Sequence, residues 1–204
     1  MTDLFLRAKH WQLFNVGFGV PMVFYVFQMA SIIGASLEGG GNSVPVERFF
    51  LIFPIVMLAM AGTLLGWFYA VGTGLQKRLP EELRQSTGFF KVAIFVPALY
   101  IAAILGFMAV VMNGNIDTTF PGSNFLVLII LVVHLFSMFC MFYILNFVAK
   151  TIKTAELQRR VTFSDYVGEG LMIWFFPIGV WMIQPTVNRL INAPVNKPPA
   201  EEYV

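Results

Sequence analysis

Residues Phe125–Ala149 read FLVLIILVVHLFSMFCMFYILNFVA, a run without a single Asp, Glu, Lys or Arg. A helix rises 1.5 Å per residue, so about 20 apolar residues cross the ~30 Å hydrocarbon core of a bilayer. This stretch therefore has the length and chemistry of a transmembrane helix. Three more uncharged runs pass the same test: Trp11–Leu37, Phe49–Leu75 and Val92–Met112. Composition agrees with them. Apolar residues make up 58% of the 204 and charged ones 12%, at a mean hydropathy of +0.76, whereas a soluble domain carries roughly 25% charged residues. A soluble fold this poor in charge could not cover its own surface. The expected fold is an all-α integral membrane protein with the lipid bilayer as its first partner. One membrane domain would occupy residues 1–192, with a flexible tail over 193–204 that holds Pro194, Pro198 and Pro199.

The cations give the direction. Arg7 and Lys9 precede the first run. Lys77, Arg78, Arg84 and Lys91 fill the second connection, Lys150, Lys153, Arg159 and Arg160 the fourth, and Arg189 and Lys197 the C-terminal part. Only Arg48 falls in the first or third connection. Loops rich in Lys and Arg stay in the cytoplasm, so the N-terminus and the even connections are expected inside. Trp11–Leu37 is too long for a cleavable signal, whose apolar region is about 7–15 residues, and reads as a retained signal-anchor. A net charge of +2 gives no case for nucleic acid. The lone Cys140 excludes an intramolecular disulfide. Glu38–Ser43 and Asn113–Asn115 are turn-forming. Pro80, Glu81 and Glu82 look like the start of a short surface helix, with proline at its first position and carboxylates at the positive end of its dipole.

In lipid, helices associate where small residues let backbones approach. Gly62, Gly66, Ala70 and Gly74 lie along one face of the second span, and Ala98, Ala102 and Gly106 along one face of the third. Both faces are read as helix contacts, with each other across the short second connection or, for Gly62–Gly66, in a homodimer; the intrachain use is preferred. The bulky fourth span is expected to face lipid or a partner. Pro21, Pro54 and Pro97 are expected to kink their helices. A shift of 76 residues superposes Pro21 on Pro97 and Pro45 on Pro121. That hint of duplication is outweighed by coincidence.

Chemistry is sparse. His134 is the one histidine within a span, and with Met138 and Met141 it shares a face at i, i+4 and i+7. Imidazole and soft sulfur would suit copper, haem or a chlorophyll. The preferred reading is an imidazole hydrogen-bonded to a neighbouring helix, so no cofactor and no metal is expected. No span carries a carboxylate, which counts against ion-coupled transport. Nucleophile, zinc and nucleotide signatures are missing, which disfavours catalysis.

The most distinctive stretch is Phe163–Asn192. Its uncharged core, Gly170–Ile183, is short and contains Pro177 and Gly179. It is expected to dip into the membrane as two half-helices, about 163–176 and 180–191, and return. Glu169 would then lie near the headgroups, and Tyr166, Trp174 and Trp181 would anchor at the interface. A fifth crossing, Tyr166–Val187, is the rival. Through Trp174, Phe175, Phe176, Pro177, Ile178, Gly179, Trp181, Gln184, Pro185 and Asn188, the segment resembles a group of uncharacterised multi-helix bacterial membrane proteins of Bacteroidetes type. That resemblance implies a bacterial inner membrane and no activity. The expected function is that of a non-catalytic subunit bound to other membrane proteins. The alternatives are a small channel or carrier for an uncharged solute, and a pigment- or metal-binding protein using His134.

Overall fold

A computed structural model of the chain describes residues 2–37, 46–112 and 123–193. The turns expected at Glu38–Ser43 and Asn113–Asn115, and the tail beyond Ala193, lie outside the described residues. The elements are α1 (Thr2–Arg7), α2 (His10–Phe14), a π-helical turn (Asn15–Gly19), α3 (Val20–Leu37), α4 (Val46–Gln76), a 3-10 turn (Glu81–Leu83), α5 (Gly88–Met112), α6 (Ser123–Leu157), α7 (Phe163–Trp174) and α8 (Phe176–Asn192). There is no strand among the described residues. Among the described residues, four stretches are long and apolar enough to cross a membrane: His10–Gly34, Ile52–Gln76, Gly88–Val111 and Phe125–Leu157. Each overlaps one of the four uncharged runs, the third starting earlier to include Lys91 and the fourth running on past Ala149 through Lys150, Lys153 and Glu156.

The prolines act locally. A proline ring collides with the carbonyl four residues before it, which for Pro21 is that of Gly17. The chain widens there into a π turn, in which the Val20 N–H reaches back to the Asn15 carbonyl. Helices α4 and α5 run on through Pro54 and Pro97. The surface helix expected after Pro80 shrinks to a single 3-10 turn. Beyond it Arg84 is extended, and its Nε donates to the Leu79 carbonyl at 2.8 Å, which folds the connection back on itself.

Helices α5 and α6 pair antiparallel. Phe90 stacks on Phe147 with ring centroids 4.2 Å apart, and further along Tyr100 meets His134. Helix α4 packs against both, and on its other side it receives α1, which folds back from the first membrane helix. Helix α7 then descends along α6. The Tyr166 hydroxyl donates to Asn146 Oδ1 at 3.3 Å, and Trp174 stacks on Phe142. The chain turns at Phe175 and α8 climbs back: Phe176 meets Trp67, Arg189 pairs with Glu156, and Arg78 donates to the Ala193 carbonyl. The hairpin thus starts and finishes at the end of the bundle that carries the cations, here called the basic end. The chain returns to the end it left, the path expected of a re-entrant hairpin.

The expected break at Pro177–Gly179 lies two residues too late. Pro177 sits in the first turn of α8, where its missing N–H has no partner to lose. Gly179 is buried instead against α7, and a Cβ there would run into the Met172 backbone carbonyl.

At about 18 Å and 26 Å long, α7 and α8 fill the bundle only at the basic end. The fully buried side chains Trp67, Phe68, Phe90, Ile144, Val148 and Ile152 gather there. Toward the far end the described side chains are mostly exposed. Most of α6 from Phe125 to Phe139 is exposed, as are Val23, Phe27 and Met29 of α3.

The small-residue stripes therefore serve differently from the expected mutual contact. Cβ atoms built at Gly66 and Gly74 lie 2.8 and 2.6 Å from side-chain carbons of Phe5 and Leu6, so that face of α4 receives α1. Gly72, on the opposite face, is the position that admits Phe90 of α5. Ala70 is buried and Ala98 partly buried, but Gly62 and Gly106 face open space and Ala102 is exposed. Gly66→Leu is expected to evict Phe5 and cost about 1–3 kcal/mol by overpacking. Leu131→Ala, at a half-exposed site, should cost less. Thermal aggregation of the two variants in detergent would rank them.

Candidate functional site

Three polar constellations stand out in this apolar chain. The first is built on Gln184, which is fully buried in α8. Its Oε1 accepts from the Trp67 indole N–H at 2.7 Å. Its Nε2 donates to the carbonyls of Phe5 and Ala8 at 3.1 and 2.8 Å, and lies 3.1 Å from Asn188 Oδ1. Asn188 Nδ2 also donates to the Ala8 carbonyl. The last carbonyls of a helix have no partner within it. Those of α1 are taken over by two amides one turn apart on α8. Trp181, on the same helix, packs on His10 and Phe14 of α2 with centroids 4.7 and 5.7 Å apart. The residues that made the segment distinctive thus hold the N-terminus to the core.

The second constellation ties the hairpin down at the basic end. Lys153 donates to Glu169 at 2.9 Å and to Glu156 at 3.0 Å, and Arg189 donates to the other Glu156 oxygen. One chain of charge links α7, α6 and α8, so Glu169 is partnered by a lysine. At the start of α7, Asp165 accepts from both Arg159 Nη atoms, from the Thr162 N–H and from the Thr162 hydroxyl. Those bonds, with Arg159 first among them, hold its carboxyl well below the usual range. A depressed carboxyl stabilises the fold above its unfolded pKa of about 4 and ceases to do so as pH falls through the folded value. The first turn of α7 should therefore loosen progressively as the solution is acidified below about pH 4. Hydrogen exchange of the Asp165 and Tyr166 amides would show this, and Asp165→Asn should remove the pH dependence.

The third lies deeper. Tyr100 of α5 and His134 of α6 are joined by a hydrogen bond of 2.9 Å between the hydroxyl and Nδ1. They border a cavity of about 390 Å³ between α4, α5 and α6, floored by Trp174 and Phe176 at the hairpin turn. Ser137, Met138 and Met141 continue its α6 wall. Whichever imidazole nitrogen carries the proton, the pair leaves one donor and one acceptor for the cavity. Among the described residues, no three of His, Cys, Asp and Glu come together as metal ligands. Cys140 is buried and unpaired.

The sequence singled out His134, Glu169, Trp174, Pro177, Gly179 and Trp181, but not Gln184 with Trp67 as partners or α1 as their cargo. An amide, a proline and an amide at 184, 185 and 188 in an apolar stretch were the available signal. Their partners lie more than a hundred residues away. No family model matches the chain, and neither a curated protein nor a solved structure resembles it.

Proposed function

We propose that this protein is a non-catalytic membrane subunit that binds a helix of another membrane protein through α3. The observation that carries this is Gln28, midway along α3. Its amide has no hydrogen bond among the described residues, on a helix whose neighbours Val23, Val26, Phe27 and Met29 are exposed. Hydrocarbon offers such an amide nothing, and amides of this kind join transmembrane helices. Purification of the parent in mild detergent should recover a membrane partner in fixed ratio, and Gln28→Leu should lose it. A parent that remains alone, with no cross-link from a cysteine at position 28 in intact membranes, would sink the proposal.

The proposed location is a bacterial inner membrane with the basic end in the cytoplasm, supported by the bias of Lys and Arg. In a Cys140→Ser background, a cysteine at Ser43 should react with an impermeant maleimide in intact spheroplasts. One at Asn196 should react only after lysis. The reverse pattern would invert the topology.

A second reading, a carrier for an uncharged solute, draws on the cavity at Tyr100 and His134. Its walls carry no charge, so only a neutral and largely apolar solute would be stabilised there. Pigment or metal binding at His134 would show as an absorption band or stoichiometric copper lost on His134→Ala. The expected result is neither.

A further inference from the structure

At the basic end, away from the three constellations above, the second connection meets the end of α6 around a pocket of about 310 Å³. Its polar lining is Glu82, Arg84 and Gln85 from the connection, Lys150 and Thr154 from α6, and Arg160 beyond it. Three cations thus face one carboxylate. Arg84 is occupied by the carbonyls of Leu79 and Lys77 and by Glu81 at 3.8 Å. The Lys150 ammonium and the Arg160 guanidinium have no ion-pair or hydrogen-bond partner among the described residues. Gln85 supplies the decisive atom: its Nε2 is buried and makes no hydrogen bond. Its own backbone N–H is held by Gln76 Oε1 at 2.9 Å, and Gln76 in turn donates to Thr151, so the Gln85 backbone is fixed at the pocket wall by a buried network.

We propose that this pocket binds a phosphate group. A buried amide donor without an acceptor is a net cost to the fold, and natural structures rarely leave one. An oxyanion would satisfy it. Phosphate fits better than carboxylate because it offers acceptor oxygens in several directions at once. An ammonium, a guanidinium fork and an amide can each take a separate one. Thr154 donates its hydroxyl to the Lys150 carbonyl and so fixes that wall of the pocket. The group could be carried by an anionic lipid of the adjacent leaflet or by a soluble phosphate compound. The recognition chemistry is the same for both.

The test uses the full chain in a phosphate-free maltoside detergent. One arm adds inorganic phosphate against chloride at equal ionic strength, and the other adds phosphatidylglycerol to the micelles. A ligand that binds only the folded state raises the unfolding midpoint. A rise in the first arm assigns a soluble source, and a rise in the second a lipid source. The double variant Lys150→Gln/Arg160→Gln should abolish the rise. Gln85→Leu should be at least as stable as the parent without anion, because the orphaned donor is gone, and should bind the effective anion roughly tenfold more weakly, as loss of one charge-assisted hydrogen bond implies. No rise in either arm, or a rise of equal size in the parent and the double variant, would overturn the proposal.

Discussion

Gln184→Leu is expected to destabilise the protein by about 2–6 kcal/mol, as two buried groups orphaned at about 1–3 kcal/mol each would. The Trp67 indole would lose its acceptor and the Phe5 carbonyl its donor, while Ala8 would keep Asn188. Thermal unfolding in detergent measures the cost. A double-mutant cycle with Trp67→Phe should be strongly non-additive, because the second change removes a group the first has already stranded. The loss should also be directional. With its carbonyls released, α1 should leave α4, and the chain should become cleavable by protease near Arg7 and Lys9 before the bundle unfolds. A variant as stable and as protected as the parent would mean that α1 is held by Phe5 and Leu6 alone.

The second large effect is expected from the smallest change. Gly179→Ala adds one methyl where the Met172 carbonyl already stands. A flexible side chain could swing aside, but here the obstacle is the backbone of α7, one turn before the break at Phe175. The hairpin must splay, and the cost should reach or exceed the ~3 kcal/mol upper range of ordinary overpacking. Gly106→Ala is the matched control. A methyl there meets nothing within 4 Å, and alanine is the better helix former by about 1 kcal/mol. It should leave the unfolding midpoint unchanged or raise it. Equal behaviour of the two variants would show that α7 and α8 do not pack as described.

This contrast shows why a glycine in a sequence is ambiguous. Gly62, Gly66, Gly74 and Gly106 look alike as spaced small residues, yet only Gly66 and Gly74 receive a neighbour, and that neighbour is α1 rather than α5. The stripe announces that a backbone can come close. It does not say which backbone does. Likewise Pro177 and Gly179 promised a break and the chain turns at Phe175, because proline belongs at a helix start and the glycine was needed for contact. His134 was legible as a polar group that needs a partner within the membrane. Tyr100 as that partner was not, since the two are brought together only by the antiparallel register of α5 and α6.

The sequence by itself determined the four membrane-length helices and the gathering of cations at alternate connections. Both follow from local quantities, the length of an uncharged run and the placement of Lys and Arg, which hydrocarbon reads one segment at a time. Only the tertiary structure decided that α1 lies on α4 and that Gln184 and Asn188 hold it there. It alone showed that α7 and α8 return to the end they came from and that the described side chains are buried at one end of the bundle and exposed toward the other. Those features depend on pairs far apart in the chain, such as Trp67 with Gln184 and Glu156 with Arg189. In an almost uniformly apolar sequence, hydrophobicity cannot choose such pairs, because lipid satisfies an apolar side chain as well as a neighbour does. The choice falls to shape and to the few polar groups that must find one another.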